Sequence, residues 1–225
     1  MGSPDLTGLL REFLFGFGTL FAIINPYGLS FVFLDRTKSL SDTERRVLAR
    51  HVALSAFGVL VVSLFAGAVI LRFFGISLPA LRIGGGLVVA VSGWQMLHEK
   101  PPPEGQASVA PPSSEALKRM IIFPLTIPLT TGPGTIATAI ALSANQPTAI
   151  QGALLSSLVS LIVAIAIAIT ILNAYTYSGS MARLFGREGT YTVTRISAFL
   201  LLCVGVQIML TGTLEAVRSL LPVAR

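Results

Sequence analysis

The chain has 225 residues, 53% of them hydrophobic and 12% charged, with a net charge of +6. The apolar residues stand in long blocks, which excludes a solvated globular domain. The single cysteine, Cys203, excludes an intramolecular disulfide and a cysteine-based metal cluster; inside an apolar block it reads as a buried, inert thiol.

A helix of about 20 apolar residues crosses the roughly 30 Å hydrocarbon layer of a bilayer. Six blocks reach that length, near 9–34, 47–73, 78–97, 120–143, 148–173 and 193–213. Membrane-spanning strands need short alternating segments, and Leu158-Val159-Ser160-Leu161-Ile162-Val163 does not alternate. The expected fold is therefore an all-α membrane protein of six transmembrane helices.

The first block is long for a cleavable signal peptide and lacks a basic leader, so it reads as a retained helix. Asn25-Pro26-Tyr27-Gly28 interrupts it. Proline removes a backbone donor and clashes with the preceding turn, and glycine lets the chain open. The connection to the second block carries Arg36, Lys38, Arg45, Arg46 and Arg50. The third block carries Ala80-Leu81-Arg82-Ile83 near its start and Gly84-Gly85-Gly86 after it, and ends at Gly93-Trp94-Gln95-Met96-Leu97. Its glycines suit close helix packing, and Trp94 suits the membrane interface. Five prolines among residues 101–112 then mark an extended linker.

The fourth block is interrupted by Pro128-Leu129-Thr130-Thr131-Gly132-Pro133-Gly134. The fifth is continuous. The sixth opens on Val193-Thr194-Arg195-Ile196 and holds Gly205-Val206-Gln207. Arg82 and Arg195 are 113 residues apart, Gly93 and Gly205 112, and Pro26 and Pro133 107. Self-similarity at that spacing predicts a duplicated three-helix unit. Three crossings are odd, so the second copy enters from the opposite face, and the expected fold is two inverted three-helix repeats with helices 1 and 4 interrupted. The repeats span residues 1–100 and 117–225, joined by a cytoplasmic linker over 101–116.

Eleven of the 16 basic residues fall on the side of the first, third and fifth connections. The positive-inside rule makes that side cytoplasmic and places both termini outside. The basic balance is thus a topology signal, and nucleic acid is not an expected partner.

A break near the bilayer centre exposes amides on one half-helix and carbonyls on the other. Amides at a helix N-terminus attract an anion, and carbonyls accept from an ammonium group. A small zwitterion suits both, and other small polar solutes are compatible. Paired breaks in two halves point to a transporter's binding site; kinks that only shape packing are the alternative. Candidate substrate-binding residues are Asn25, Pro26, Gly28, Thr130, Thr131, Gly132, Pro133 and Gly134. Arg82 and Arg195 read as interfacial anchors or as gates at opposite faces. Gln95 and Gln207 read as interhelical glue or as lining of the path.

All ten acidic residues lie at or near block ends, as do His51 and His98. Coupling through an embedded carboxylate is disfavoured, and no His-Glu-x-x-His or paired-aspartate pattern occurs. The expectation is no enzyme, cofactor or metal, with the coupling ion, sodium or a proton, left open. No face of the pattern specifies an oligomer.

Ile24-Asn25-Pro26-Tyr27-Gly28, the stretch from Phe123-Pro124-Leu125-Thr126 to Gly132-Pro133-Gly134-Thr135-Ile136, and Arg195-Ile196 through Gly205-Val206-Gln207-Ile208-Met209-Leu210 together resemble the MarC family of bacterial and archaeal inner-membrane proteins. This family is also called the small neutral amino acid transporter family. The resemblance implies six helices in two inverted halves, transport of glycine, alanine and similar amino acids, and substrate held at the two breaks. Tyr27 departs from the smaller aliphatic residue of the family pattern. Readings from other classes are a non-transporting regulatory or assembly protein and an exporter of another small solute.

Overall fold

A computed structural model of the chain describes residues 6–37, 39–98, 121–144 and 150–220. The linker expected over 101–116 lies outside the described residues. Among them no strand occurs. The helices are α1 (Leu6–Ile24), α2 (Pro26–Arg36), α3 (Asp42–Phe65), α4 (Gly67–Phe73), α5 (Leu78–His98), the π-wound α6 (Ile121–Thr130), α7 (Pro133–Ala144), α8 (Ile150–Thr176) and α9 (Ser178–Leu220).

Among the described residues, five helical stretches are long and apolar enough to cross a membrane: Leu6–Arg36, Asp42–Phe65, Leu78–His98, Gly152–Thr176 and Glu188–Ser219. The fourth apolar block differs. Among the described residues its interruption divides it into α6 and α7, neither of which reaches spanning length. The sixth block also extends further back than its hydropathy, because helix resumes on both sides of a kink at Gly186, whose φ of 67° is open to glycine.

The core is built from small and branched side chains. Ala49, Val52, Ala56 and Leu60 of α3 and Ala164, Ile167 and Ile171 of α8 are fully buried or nearly so. Leu54, Leu154, Leu158 and Ile169 face outward. Apolar residues on both sides of one helix fit a solvent that is itself apolar. Cys203 is exposed on α9, which corrects the expectation of a buried thiol: this stretch of α9 is apolar on its outer face as well as its packed one.

A buried arginine shapes the turn between α2 and α3. Arg45 donates from Nε to Thr37 Oγ1 (3.2 Å) and from Nη2 to the carbonyls of Thr37 (3.2 Å) and Leu40 (2.9 Å). Its Nη1 meets Asp42 at 2.7 Å. One guanidinium thus satisfies backbone groups that leave the helical ladder here. Ser41 then caps α3 reciprocally with Glu44.

Helices α5 and α9 cross through glycine. A Cβ on Gly93 would lie 2.5 Å from the Leu202 amide nitrogen and 2.8 Å from the Ala198 carbonyl oxygen. A Cβ on Gly205 would lie 2.3 Å from the Ala90 amide nitrogen and 2.7 Å from the Gly86 carbonyl oxygen. Adding 112 to 86, 90 and 93 gives 198, 202 and 205, so the two contact sets are copies of each other. The helices run antiparallel, with Gly212 against Pro79 and Arg82 at one end and Gly93 against Ala198 toward the other. Backbones approach this closely only where neither helix has a side chain between them.

Candidate functional site

The first break is a single flipped residue. Asn25 has φ 45° and ψ 58°, a left-handed conformation that asparagine tolerates better than most residues. Its amide still donates to Phe21 (2.8 Å), and its carbonyl still accepts from Leu29 (2.9 Å). Its side chain accepts from the Gly28 amide at 3.3 Å, while Pro26 stands where a missing donor is harmless. Gly28 lies tight against α9: a Cβ there would stand 2.7 Å from Ser197 Oγ.

The second break is distributed over ten residues. Pro124 and Pro128 cannot donate, and the chain widens into π winding over Ile121–Thr130. Threonine hydroxyls reach carbonyls five residues back: Thr126 to Ile121 (2.6 Å), Thr130 to Leu125 (2.6 Å) and Thr131 to Thr126 (3.1 Å). The Thr130 proton is committed to Leu125, so in the 2.8 Å contact with Tyr175 the tyrosine hydroxyl donates. Tyr175 is fully buried and stacks on Phe33 of α2, ring centroids 4.4 Å apart. The widened segment is thereby tied to α8 and, through it, to α2.

After Thr131 and Gly132 the chain restarts as α7, with Pro133 in its first turn. The amides of Gly134 and Thr135 have no carbonyl four residues back within α7, so this end carries partial positive charge. Gly85 of α5 supports it closely: a Cβ there would lie 2.9 Å from the Pro133 carbonyl carbon. The first break meets α9 at Ser197 and the second meets α5 at Gly85, and these two positions again differ by 112.

A cavity of about 570 Å³ opens between the breaks. Thr130, Gly132, Pro133 and Thr135 line it from the second break, and Ile23 and Val32 from either side of the first. Val88, Val89 and Ser92 of α5 and Leu201 of α9 complete the wall. Arg36, Trp94, Gln95 and His98, from the last turns of α2 and α5, surround the mouth. The Trp94 and His98 rings meet at a tilt of 35° with centroids 4.0 Å apart.

Of the residues singled out in the sequence, Thr130, Gly132, Pro133 and Gln95 line this cavity. Pro26, Gly28, Thr131 and Gly134 are buried beside the breaks without lining it, and Asn25 is half-buried. Gln207 is exposed on α9, away from the cavity. Arg82 pairs with Glu215. Arg195 donates to Tyr191 Oη at 2.8 Å and lies over that ring. Tyr27 turns outward beside Phe21 and does not narrow the cavity. Arg36, His98, Tyr175 and Glu215 were missed. The two mouth residues looked like ordinary basic helix ends, and Tyr175 and Glu215 act through partners distant in the chain.

The sequence pattern described as "MarC family integral membrane protein" matches residues 10–217. The chain belongs to the MarC family. It is 31% identical over 214 residues to inner membrane protein MarC of Salmonella typhimurium strain LT2, an alignment covering 91% of this chain and 95% of that relative. The MarC proteins of Citrobacter koseri (30% over 214 residues) and Escherichia coli O1:K1 (30% over 212 residues) align over the same shares of each chain. No solved structure matches it. The relatives' names place those MarC proteins in the inner membrane, and this member of the family carries several helices fit to span one.

Proposed function

We propose that this protein is a secondary transporter of small neutral amino acids, of the glycine and alanine type, in the bacterial or archaeal cytoplasmic membrane. The second break holds the substrate. Its carboxylate meets the positive N-terminus of α7 at Thr135, which lines the cavity, and its ammonium group meets the carbonyl-rich end of α6. The observation that carries this reading is the cavity that ends on Thr130, Gly132, Pro133 and Thr135. Gly134 lets Ile208 and Val89 close over the break, since a Cβ there would lie 2.8 Å from Ile208 Cδ1 and 3.1 Å from Val89 Cγ2.

The proposed architecture is six membrane crossings in two inverted halves, with α6 and α7 together forming the fourth. Two sets of contacts offset by 112 residues support it: Gly93 with Gly205 at the α5–α9 crossing, and Gly85 with Ser197 against the breaks. An internal two-fold in the membrane plane pairs contacts in this way, and rocking of the halves about it exposes one site to each face in turn. The distribution of basic residues supports a cytoplasmic cavity mouth and termini outside. The partners are the amino acid and membrane lipid; no catalytic residue, cofactor or nucleic acid enters the proposal, and the driving ion is sodium or a proton.

Uptake of labelled glycine and alanine into liposomes, with and without sodium and proton gradients, tests the proposal. Saturable uptake dependent on Gly134 supports it. Folded protein that moves neither amino acid under any gradient points to another solute or to the non-transporting reading.

A further inference from the structure

We propose that Arg82 and Glu215 form the gate that closes this protein on the face opposite the cavity mouth. The inference rests on the transport reading and names a device that reading requires. The mouth lies at the last turns of α2 and α5, where Arg36 and His98 stand. The other end of α5 begins at Leu78 and meets the last turns of α9. There the Arg82 guanidinium pairs with the Glu215 carboxylate, joining residues 133 apart in the chain. The Arg82 side chain keeps only 16% of its exposure and that of Glu215 38%, so the pair is partly withdrawn from solvent.

Between the pair and the cavity the two helices touch backbone to backbone. A Cβ on Gly212 would lie 2.8 Å from Arg82 Cβ and 2.9 Å from the Pro79 carbonyl oxygen. One turn further in, a Cβ on Gly86 would lie 2.6 Å from the Gly205 carbonyl oxygen and 2.7 Å from the Met209 amide nitrogen. Gly85 seals against Pro133 at the cavity floor. This end of the α5–α9 crossing is packed backbone to backbone and carries a charged pair across the two helices. The ion pair is the charged contact across this end of the crossing, and its breakage sets how often this end opens. An ion pair gives such a closure direction, because each partner left alone in a partly buried site is costly.

The test follows solvent access, not transport. Ser92 lines the cavity, and a Ser92→Cys reporter in a Cys203→Ser background is treated with a membrane-impermeant thiol reagent from each side of sealed vesicles. With the pair intact, the reporter reacts quickly from the mouth side and slowly from the Arg82 side. Arg82→Gln and Glu215→Gln each raise the rate from the Arg82 side about five- to tenfold, a small shift in the open population. The exchange Arg82→Glu with Glu215→Arg restores slow reaction, which also separates gating from misfolding in the single variants. Equal reaction rates with and without the pair, or a charge exchange that behaves like the single variants, overturn the gate. Labelled glycine uptake by the Cys203→Ser protein with native Ser92, with and without the Arg82 and Glu215 variants, separates the two claims. Access that responds to the pair in protein that moves no glycine keeps the gate and removes the amino acid. Glycine uptake with access indifferent to the pair keeps the amino acid and removes the gate.

Discussion

The two breaks share a vocabulary of proline, glycine and small polar residues, yet they solve the same problem differently. At the first, one asparagine turns left-handed, the hydrogen bonds on either side continue, and the Asn25 side chain caps the restart at Gly28. At the second, two prolines are absorbed by winding ten residues wider, with three threonine hydroxyls serving the carbonyls five back. The first is compact and covered by Ser197; the second faces the cavity. The difference teaches that an interrupted helix can leave its freed groups open to a cavity, as at the second break. Sealing them with a cap leaves a kink.

Four substitutions probe that contrast, from the largest expected effect to the smallest, each read by thermal unfolding of the purified protein. Thr130→Val strands both the Leu125 carbonyl and the Tyr175 hydroxyl and is expected to destabilise by about 3 kcal/mol. A loss no greater than that of the mildest variant below would show that hydroxyls do not hold the second break. Asn25→Ala removes a cap and puts a Cβ-bearing residue of poor left-handed tolerance at φ 45°, for about 2 kcal/mol. Tyr175→Phe keeps the stack on Phe33 and loses one hydrogen bond, for about 1 kcal/mol. Asn25→Gly keeps the backbone and loses only the cap, for about 0.5 kcal/mol or less. If glycine and alanine at position 25 cost the same, the first break depends on the asparagine side chain more than on backbone conformation, and the contrast narrows.

Much of this was legible in the sequence because proline and glycine act locally. Pro26 with Gly28 marks the first break, Pro133 with Gly134 marks the restart of helix after the second, and hydropathy marks the long helices. What stayed hidden depends on three-dimensional partners. The i to i−5 reach of Thr126, Thr130 and Thr131 follows from a winding that composition does not encode. The pairing of Arg82 with Glu215 spans 133 residues. Cys203 was misplaced because hydropathy does not tell a lipid-facing side chain from a packed one. One signal was present and unread: Gly86 with Gly93, and Gly205 with Gly212, recur every seven residues, two helical turns, and mark the α5–α9 seam.

The central claim is that the second break holds a small neutral amino acid. It is tested most directly by labelled glycine uptake in liposomes, comparing the parent with Gly134→Leu in samples shown to be folded. The account predicts saturable uptake by the parent and its loss in the variant, where the leucine stands against Ile208 and Val89 at the start of α7. Uptake unchanged by Gly134→Leu, or none from the folded parent under any gradient, would contradict it.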